Sequence, residues 1–200
     1  MQINNYENEN IFKILNTQSR VSTLSTVELS KVHEKLGELL SYKLLEEFEL
    51  SEIEIDHVQG RKSGFGLDSK ETLLIIVLMR GGLYVAEGFK NIFDNNYNFE
   101  MLNSPNELDQ INVIEEEYEL ENTNIILIDS VINTGKSIKK VIDLLPHDKK
   151  IYIVSLVMHK GAKEVFQEYK NLVFFLSRIS ENFYVGKGKT DTGDRLFNSK

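Results

Sequence analysis

The sequence predicts an α/β protein, a three-layer sandwich with a mainly parallel central sheet, an amino-terminal helix and a hairpin arm. Two observations lead to this fold class. Short, almost continuously apolar runs occur at residues 73–79, 125–129, 151–158 and 172–177. Each of the first three is followed by a turn rich in Gly, Ser or Asn and then by an amphipathic stretch. Apolar strands that alternate with helices are typical of a parallel sheet covered on both faces.

Length and composition indicate one domain over residues 1–200, in which the polar residues 1–10 are expected to be flexible. The chain has 200 residues, 41% of them hydrophobic, which suffices for one buried core. Its net charge of -8 disfavours nucleic acid and anionic membranes as partners. The longest purely apolar run, LLIIVLM, is far shorter than a membrane span, so we expect a cytoplasmic protein. The absence of cysteine excludes a thiolate nucleophile.

Two elements are predicted ahead of the sheet. From Thr26 to Phe48, Val and Leu residues recur at helical spacing, which predicts a long amphipathic helix with Thr26 as its cap. The segment DHVQGRKSGFGLDSK, residues 56–70, carries glycines among charged residues and is predicted to be an exposed loop or a hairpin arm. In the sheet that follows, ligands are expected on the loops at the carboxyl ends of the strands.

The stretch IILIDSVINTGKSI, residues 125–138, ends in three residues that also end a nucleotide-binding P-loop. A P-loop needs GxxxxGKS/T, because its first glycine allows the backbone to wrap the phosphate. Here Ser130 stands five residues before Gly135, and the acid Asp129 closes the strand. The missing glycine disfavours a P-loop nucleoside triphosphatase.

The same stretch has the features of a sugar-phosphate site. Thr134, Gly135 and Ser137 open a helix, whose free N–H groups can bind a phosphate. Asp129 can accept hydrogen bonds from ribose hydroxyls. The alternative is that Asp129 merely ends the strand and Thr134 merely caps the next helix, and this stretch alone does not separate the two interpretations.

Five segments, in order along the chain, resemble one protein family. IDSVINTGKSIKKVI resembles the phosphoribosyl pyrophosphate (PRPP) loop of type I phosphoribosyltransferases. KLGELLSYKLLEE, VLMRGGLYVAEGF, GAKEVFQEY and YVGKGKTDTGDRLFNS narrow the resemblance to the uracil phosphoribosyltransferase family. The resemblance runs from about residue 24 to the end, and TDTGDRLF is its most specific part. It implies the type I phosphoribosyltransferase fold and transfer of phosphoribosyl from PRPP to uracil, which yields UMP and pyrophosphate.

The resemblance also implies the site residues. PRPP would be bound by Arg80, Gly81, Asp129, Ser130, Asn133, Thr134, Gly135, Lys136 and Ser137. The base would be bound by Tyr184, Val185, Thr190 and Asp191. The catalytic residues would be Arg80, Asp129 and Asp191. Mg²⁺ would bind through PRPP rather than through direct protein ligands, and the protein would be a homodimer.

Arg80 supports this assignment independently of the resemblance. It emerges from a buried strand beside Gly81 and Gly82, where its guanidinium can clamp a pyrophosphate while the glycines let the backbone come close. The alternative is that Arg80 pairs with a surface carboxylate.

Several residues depart from the family pattern. Residues 91–124 contain no Lys or Arg, whereas the family normally places a second arginine there. Lys136 stands where a small residue is usual, Ser130 replaces proline and Thr190 replaces glycine. Lys187 and Lys189 would suit an acceptor more anionic than uracil. A second hypothesis is therefore a PRPP- or nucleotide-binding regulator that keeps the fold without efficient catalysis.

Surface or capping roles are expected for the other polar residues. The four histidines show no metal-ligand spacing, and surface or capping positions are expected for them. The acidic run at residues 115–121 is predicted to be a solvated strand edge and loop.

Overall fold

The computed structural model describes residues 1–90, 92, 97–103, 107–118, 120, 123–183 and 191–199, without the side chains of residues 107, 108 and 115. The strands are β1 Gln2–Asn5, β2 Leu50–His57, β3 Gly60–Leu67, β4 Thr72–Leu78, β5 Tyr97–Leu102, β6 Thr123–Ile132, β7 Ile151–His159 and β8 Leu172–Ser180. The α-helices are α1 Asn10–Ser19, α2 Thr26–Leu45, α3 Leu83–Lys90, α4 Glu107–Glu117, α5 Lys136–Ile142 and α6 Thr192–Phe197. A 3₁₀ helix spans Lys160–Phe166.

Six of these strands form one parallel sheet in the order β1-β8-β7-β6-β4-β5. The remaining two, β2 and β3, form a separate antiparallel hairpin. The fold class predicted from the sequence is confirmed, including the hairpin arm. Because β4 and β6 are neighbours in the sheet, the loops that follow them open at the same edge.

The sheet is buried on both faces because successive side chains of each strand point to opposite sides. In β4, Leu74 and Ile76 pack in a cluster with residues of α4, α5 and the 3₁₀ helix. Leu73 and Ile75 pack instead with residues of α1, α2 and α3. Both faces of the strand are therefore apolar, which explains the continuous apolar run in the sequence. Among the described residues, no helix combines the length and apolar character required to cross a membrane.

The start of helix α2 differs by one residue from the prediction. Its N-cap is Ser25, not Thr26, and the Ser25 hydroxyl accepts a hydrogen bond from the Glu28 backbone N–H. The Glu28 carboxylate accepts in return from the Ser25 backbone N–H at 2.9 Å. This reciprocal capping box follows from the spacing S-x-x-E, which the sequence contains.

The amino terminus is ordered, contrary to the expectation for residues 1–10. Residues Gln2–Asn5 pair in parallel with β8, and the Tyr6 backbone N–H donates to Leu176 O at 3.0 Å. The segment has no apolar alternation because its side chains lie at the edge of the sheet. What orders it is the unpaired backbone edge of β8, which sequence composition does not reveal.

The acidic segment near residue 115 was also predicted incorrectly. Residues Glu107–Glu117 form α4 rather than a strand edge, and this helix follows β5, which the sequence did not suggest. Ile111 and Ile114 provide its buried side. The two positions are three residues apart, so they mark the inner face of the helix, whereas Val113 is 51% exposed.

Helices α2 and α3 approach each other closely because each contributes a glycine to the contact. A Cβ atom at Gly37 would lie 2.1 Å from Val85 O, and one at Gly88 would lie 2.1 Å from Glu34 O. Both neighbours are backbone atoms, which cannot move aside as side chains do. The spacing of this helix pair therefore depends on the two glycines.

We predict that Gly37→Ala lowers the free energy of unfolding by about 1–3 kcal/mol, because the added methyl group must separate α2 from α3. The control is Lys35→Ala at an exposed position of the same helix, for which a change within about 0.5 kcal/mol is expected. Urea denaturation measures both values. Equal stabilities of the two variants would contradict the close helix contact.

Candidate active site

The carboxyl ends of β4 and β6 meet the carboxy-terminal segment around one cavity of about 320 Å³. The described residues that line it are Met79, Arg80, Gly81, Asp129, Ser130, Val131, Asn133, Asp191, Thr192 and Gly193. Arg80, Gly81, Asp129, Ser130 and Asn133 are thus brought together with Asp191, which is more than fifty positions away along the chain, whereas residues 134–137 do not line this cavity. We refer to this space as the central cavity.

The two glycines after β4 let that loop pack on the end of β6. A Cβ atom at Gly81 would lie 2.8 Å from Ser130 Oγ and 3.1 Å from Asp129 Oδ1. A Cβ atom at Gly82 would lie 2.5 Å from Ile128 O. A larger residue at either position would push the β4 loop away from β6 and thereby move Arg80 away from Asp129.

A smaller cavity of about 80 Å³ lies in the loop between β6 and α5. Its lining includes Asp129 and all of the residues 131–138. Gly135 has a φ of +75° and precedes α5, and a Cβ atom there would lie 2.9 Å from the ring of Phe166. Glycine is therefore required for both the backbone conformation and the packing.

The local contacts of this loop also fit the alternative interpretation of the motif. Asp129 Oδ1 accepts a 3.4 Å hydrogen bond from the Val131 backbone N–H, and Thr134 Oγ1 accepts one of 3.4 Å from the Lys136 N–H. Both are long, so they satisfy the groups only weakly. The two residues thus have local capping contacts and also line a concave site.

Arg80 lies in the central cavity but is held by the carboxy-terminal segment. Its Nη1 donates to Ser199 Oγ at 2.9 Å and its Nη2 to Asp194 Oδ1 at 3.3 Å. The guanidinium carbon also lies 5.6 Å from the ring centroid of Phe197. Arg80 thus lines the cavity and also pairs with a carboxylate, as the alternative interpretation expected, and its contact with pyrophosphate stays a prediction. These three partners were missed in the sequence, although they lie within or beside its TDTGDRLF motif.

Asp129 has an unusual protonation equilibrium. Burial at the end of β6 raises the pKa of its carboxyl group to about 7, although backbone N–H groups of Val131 and Ser130 act in the opposite direction. A carboxylate that accepts hydrogen bonds from ribose hydroxyls has to be ionised. The site is therefore expected to gain its acceptor as the pH rises through 7.

Of the residues predicted to bind the base, only Asp191 lies within the described part of the chain. Tyr184, Val185 and Thr190 lie outside the described residues, as do Lys187 and Lys189. Asp191 is described, and its Oδ1 accepts a hydrogen bond of 2.8 Å from the Asp194 N–H. It therefore caps α6 while lining the central cavity.

The predictions made for two histidines had different outcomes. His159 caps the 3₁₀ helix, since its side chain accepts from the Gly161 N–H at 3.1 Å, which confirms the expected capping role. His33 contradicts its expected surface position, because only 5% of it is exposed. It follows Leu29 by four residues, and this helical spacing was an available signal of burial.

The raised pKa of Asp129 predicts how stability depends on pH. An unfolded chain releases this proton near pH 3.8, whereas the folded chain keeps it up to about pH 7, so wild-type stability falls as the pH rises between these values. In Asp129→Asn this loss is absent. From pH 5 to pH 8 we expect the variant to gain roughly 2–3 kcal/mol relative to wild type, since one pKa unit corresponds to about 1.4 kcal/mol.

Urea denaturation at the two pH values measures this difference. The control Asp109→Asn removes a carboxylate from an exposed position of α4, and its stability relative to wild type should change little between the two pH values. A parallel pH dependence of wild type and Asp129→Asn would refute the assignment.

The chain resembles known proteins along nearly its whole length. A sequence model of the family "Uracil phosphoribosyltransferase" matches residues 6–199. The uracil phosphoribosyltransferase of Malacoplasma penetrans is 26% identical, with 93% of this chain and 94% of that protein covered. The corresponding protein of Ureaplasma parvum is 24% identical with the same coverage of both chains.

The fold has a solved counterpart. The structure of the AQ2163 protein from Aquifex aeolicus superposes with a TM-score of 0.75 at 21% identity and covers 98% of both chains. The match to the family model over residues 6–199 places the protein in the uracil phosphoribosyltransferase family, and thus among the phosphoribosyltransferases.

Proposed function

We propose that the protein transfers phosphoribosyl from PRPP to a pyrimidine base, with uracil as the first base to test. The observation that carries this proposal is the central cavity, in which Arg80, Asp129 and Asp191 meet beside the phosphate loop. A cation, a ribose acceptor and a phosphate cradle at one sheet edge are the elements that PRPP requires. Uracil is taken from the names of the relatives.

The proposed reaction exchanges one bond at the anomeric carbon of the ribose. The N1 atom of the base forms a bond to this carbon, the bond from the carbon to pyrophosphate oxygen breaks, and the base loses its N1 proton. Positive charge develops on the ribose and negative charge on the leaving pyrophosphate. The chain supplies position and charge rather than a nucleophile.

Each residue would have a defined task. The loop at residues 133–137 would hold the 5′-phosphate through backbone N–H groups, and ionised Asp129 would orient the ribose hydroxyls. Arg80 would bind the pyrophosphate and stabilise it as it leaves. To do so it exchanges its contacts with Asp194 and Ser199 for phosphate oxygens, so PRPP binding is coupled to the docking of α6.

Mg²⁺ would arrive on PRPP and neutralise part of the pyrophosphate charge. No group of three or more His, Asp and Glu residues that could hold a metal occurs in the described part of the chain. Mg²⁺ commonly keeps several waters and binds through phosphates and one or two carboxylates. Asp129 and Asp191 line the central cavity and would accept hydrogen bonds from the waters of PRPP-bound Mg²⁺ rather than bind the ion directly.

A regulator that binds PRPP without turnover is the second candidate. It is favoured by the lack of Lys and Arg in residues 91–124, because Arg80 is then the only cation among the described residues that line the central cavity. Incubation of the protein with PRPP, Mg²⁺ and labelled uracil distinguishes the two. UMP formation supports the hypothesis of an enzyme. Thermal stabilisation by PRPP without any UMP formation supports the hypothesis of a regulator.

If the protein is an enzyme, Arg80→Gln should lower kcat by about 10²-fold, because one charge-stabilising donor to the leaving group is lost. The matched control is Arg61→Gln, an arginine on the hairpin arm that pairs with Glu54. Steady-state kinetics measure the effect, and melting temperatures show whether α6 remains docked. An unchanged kcat would remove Arg80 from the reaction.

We also propose a homodimer that uses the hairpin arm. Ile53, opposite Gly64, and Ile55, opposite Lys62, are 42% and 39% exposed on one side of the arm. An exposed apolar strip on a two-stranded ribbon is unstable in water unless another surface covers it. The same strip on a second copy is the proposed cover.

Ile55→Asp should convert the dimer to a monomer, because it places a charge in an apolar interface. The control Ser63→Asp places the same charge on the opposite side of the ribbon, where Ser63 faces Glu54. Size-exclusion chromatography with light scattering gives the mass. A monomeric wild type, or a dimer of Ile55→Asp, would refute this arrangement.

A further inference from the structure

A second cavity, of about 370 Å³, lies beside the central cavity and is called the basic cavity below. The described residues that line it are Asn16, Ser19, Arg20, Ser22, His33, Ser130, Val131, Leu156, Val157, Arg178, Phe183, Thr192 and Arg195. Ser130, Val131 and Thr192 line both cavities. A ligand in one cavity can therefore extend into the other.

The charge of the basic cavity is opposite to that of the whole chain. Three arginines line it, and no Asp or Glu occurs among its described lining residues. The chain as a whole carries a net charge of -8. Cations concentrated in a concave site of an acidic protein create a local positive potential that attracts anions.

Two of the arginines are positioned without being neutralised. Arg20 Nε donates to Asn16 O at 3.0 Å, and Arg195 Nη2 donates to Val21 O at 2.9 Å. Carbonyl oxygens fix a guanidinium but leave its charge in place. Within the described ranges, no carboxylate forms an ion pair with Arg20 or Arg195. A guanidinium has five N–H donors, so donors remain for an anion.

The positive charge of the third arginine, Arg178, is partly balanced by Glu7. Arg178 contributes to the lowered pKa of Glu7, for which the first cause is the hydrogen bond from the Ile179 backbone N–H. Glu7 is not among the described residues that line the basic cavity. The negative charge that partly balances Arg178 therefore lies outside the lining of the basic cavity.

The buried His33 adds an unsatisfied polar atom to this wall. Its Nδ1 has no hydrogen-bond partner among the described residues. Burial, followed by the nearby charge of Arg195, lowers the pKa of His33 to about 3, so the ring is neutral at physiological pH. A neutral imidazole keeps one donor and one acceptor for a ligand or a water molecule.

Four apolar side chains, Val131, Leu156, Val157 and Phe183, also line the basic cavity. Val131, which lines both cavities, is the strand partner of Val157. Such a surface suits the face of a planar ring rather than a free inorganic ion. The lining of the basic cavity thus combines apolar side chains with three arginines.

We propose that the basic cavity is an anion subsite, which binds the carboxylate or phosphate of a small planar ligand whose ring lies beside Val131 and Thr192. The proposal rests on the proposed function in one respect, because the ring would occupy the acceptor side of the phosphoribosyl transfer site. Two sources carry such a group: an acceptor pyrimidine with a carboxylate, and a nucleotide bound next to the site as an effector.

Titration calorimetry with the full chain tests this with three probes: uracil, 6-carboxyuracil and inorganic phosphate. We expect 6-carboxyuracil to bind about tenfold more tightly than uracil, because it adds charge-assisted hydrogen bonds to arginine. Its affinity should fall as NaCl is raised, whereas that of uracil should not. Arg20→Gln and Arg178→Gln should each weaken 6-carboxyuracil by about tenfold, and Arg61→Gln on the hairpin arm should not.

Competition between the probes distinguishes the two ligands that could carry the anionic group. Displacement of uracil by 6-carboxyuracil supports an acceptor with a carboxylate. A phosphate affinity that Arg20→Gln lowers, with uracil binding unaffected by phosphate, supports a nucleotide effector. Equal affinities for uracil and 6-carboxyuracil, together with no effect of Arg20→Gln or Arg178→Gln on any probe, overturn the anion subsite.

The outcome is separable from that of the proposed function. Binding of 6-carboxyuracil that depends on Arg20, without transfer to any base, retains the subsite and rejects the enzyme. UMP formation without anion binding in the basic cavity retains the enzyme and rejects the subsite.

Discussion

The candidate site depends on one close contact between main chains, where the loop after β4 lies on the end of β6. Gly82 leaves no room for a side chain against Ile128 O, and Gly81 leaves none against Ser130 and Asp129. This contact holds Arg80 in the cavity that Asp129 also lines, although Asp129 lies within β6, three residues before the end of the strand, and does not close the strand as the sequence predicted. It also contributes to the burial of Asp129, which raises the pKa of its carboxyl group to about 7. The position of Arg80 and the raised pKa of the Asp129 carboxyl group therefore have the same structural origin.

The carboxy-terminal helix connects this contact to the rest of the molecule. Asp194 and Ser199 hold Arg80, and Arg195 donates on the other side to the connection between α1 and α2. Thr26, the first residue of α2, donates to Arg195 O at 3.2 Å. One short segment thus forms part of the central cavity and part of the basic cavity. Ligands in the two cavities would act on the same helix, which gives the chain a physical route for coupling between them.

The sequence was most informative where local pattern and tertiary environment agree. The apolar runs of β4, β6, β7 and β8 are strands because both of their faces are covered, and this condition leaves a direct signature in composition. Asp129 and Gly135 were identified because the end of a parallel strand followed by a helix start is a recurrent phosphate site. The sequence was uninformative for β1, whose order comes from pairing with the edge of β8 and not from its own polar residues.

By itself, the sequence determined the fold class, and it predicted the sheet edge of the candidate site and two residues, Arg80 and Asp129, that line one cavity there. It did so because spacing and side-chain chemistry are local properties of the chain. Only the tertiary structure decided that Arg80 pairs with Asp194, that burial raises the pKa of the Asp129 carboxyl group to about 7, and that Arg20, His33, Arg178 and Arg195 share one cavity. These last properties arise from contacts between residues more than a hundred positions apart and from the water that packing excludes, and no local pattern records either.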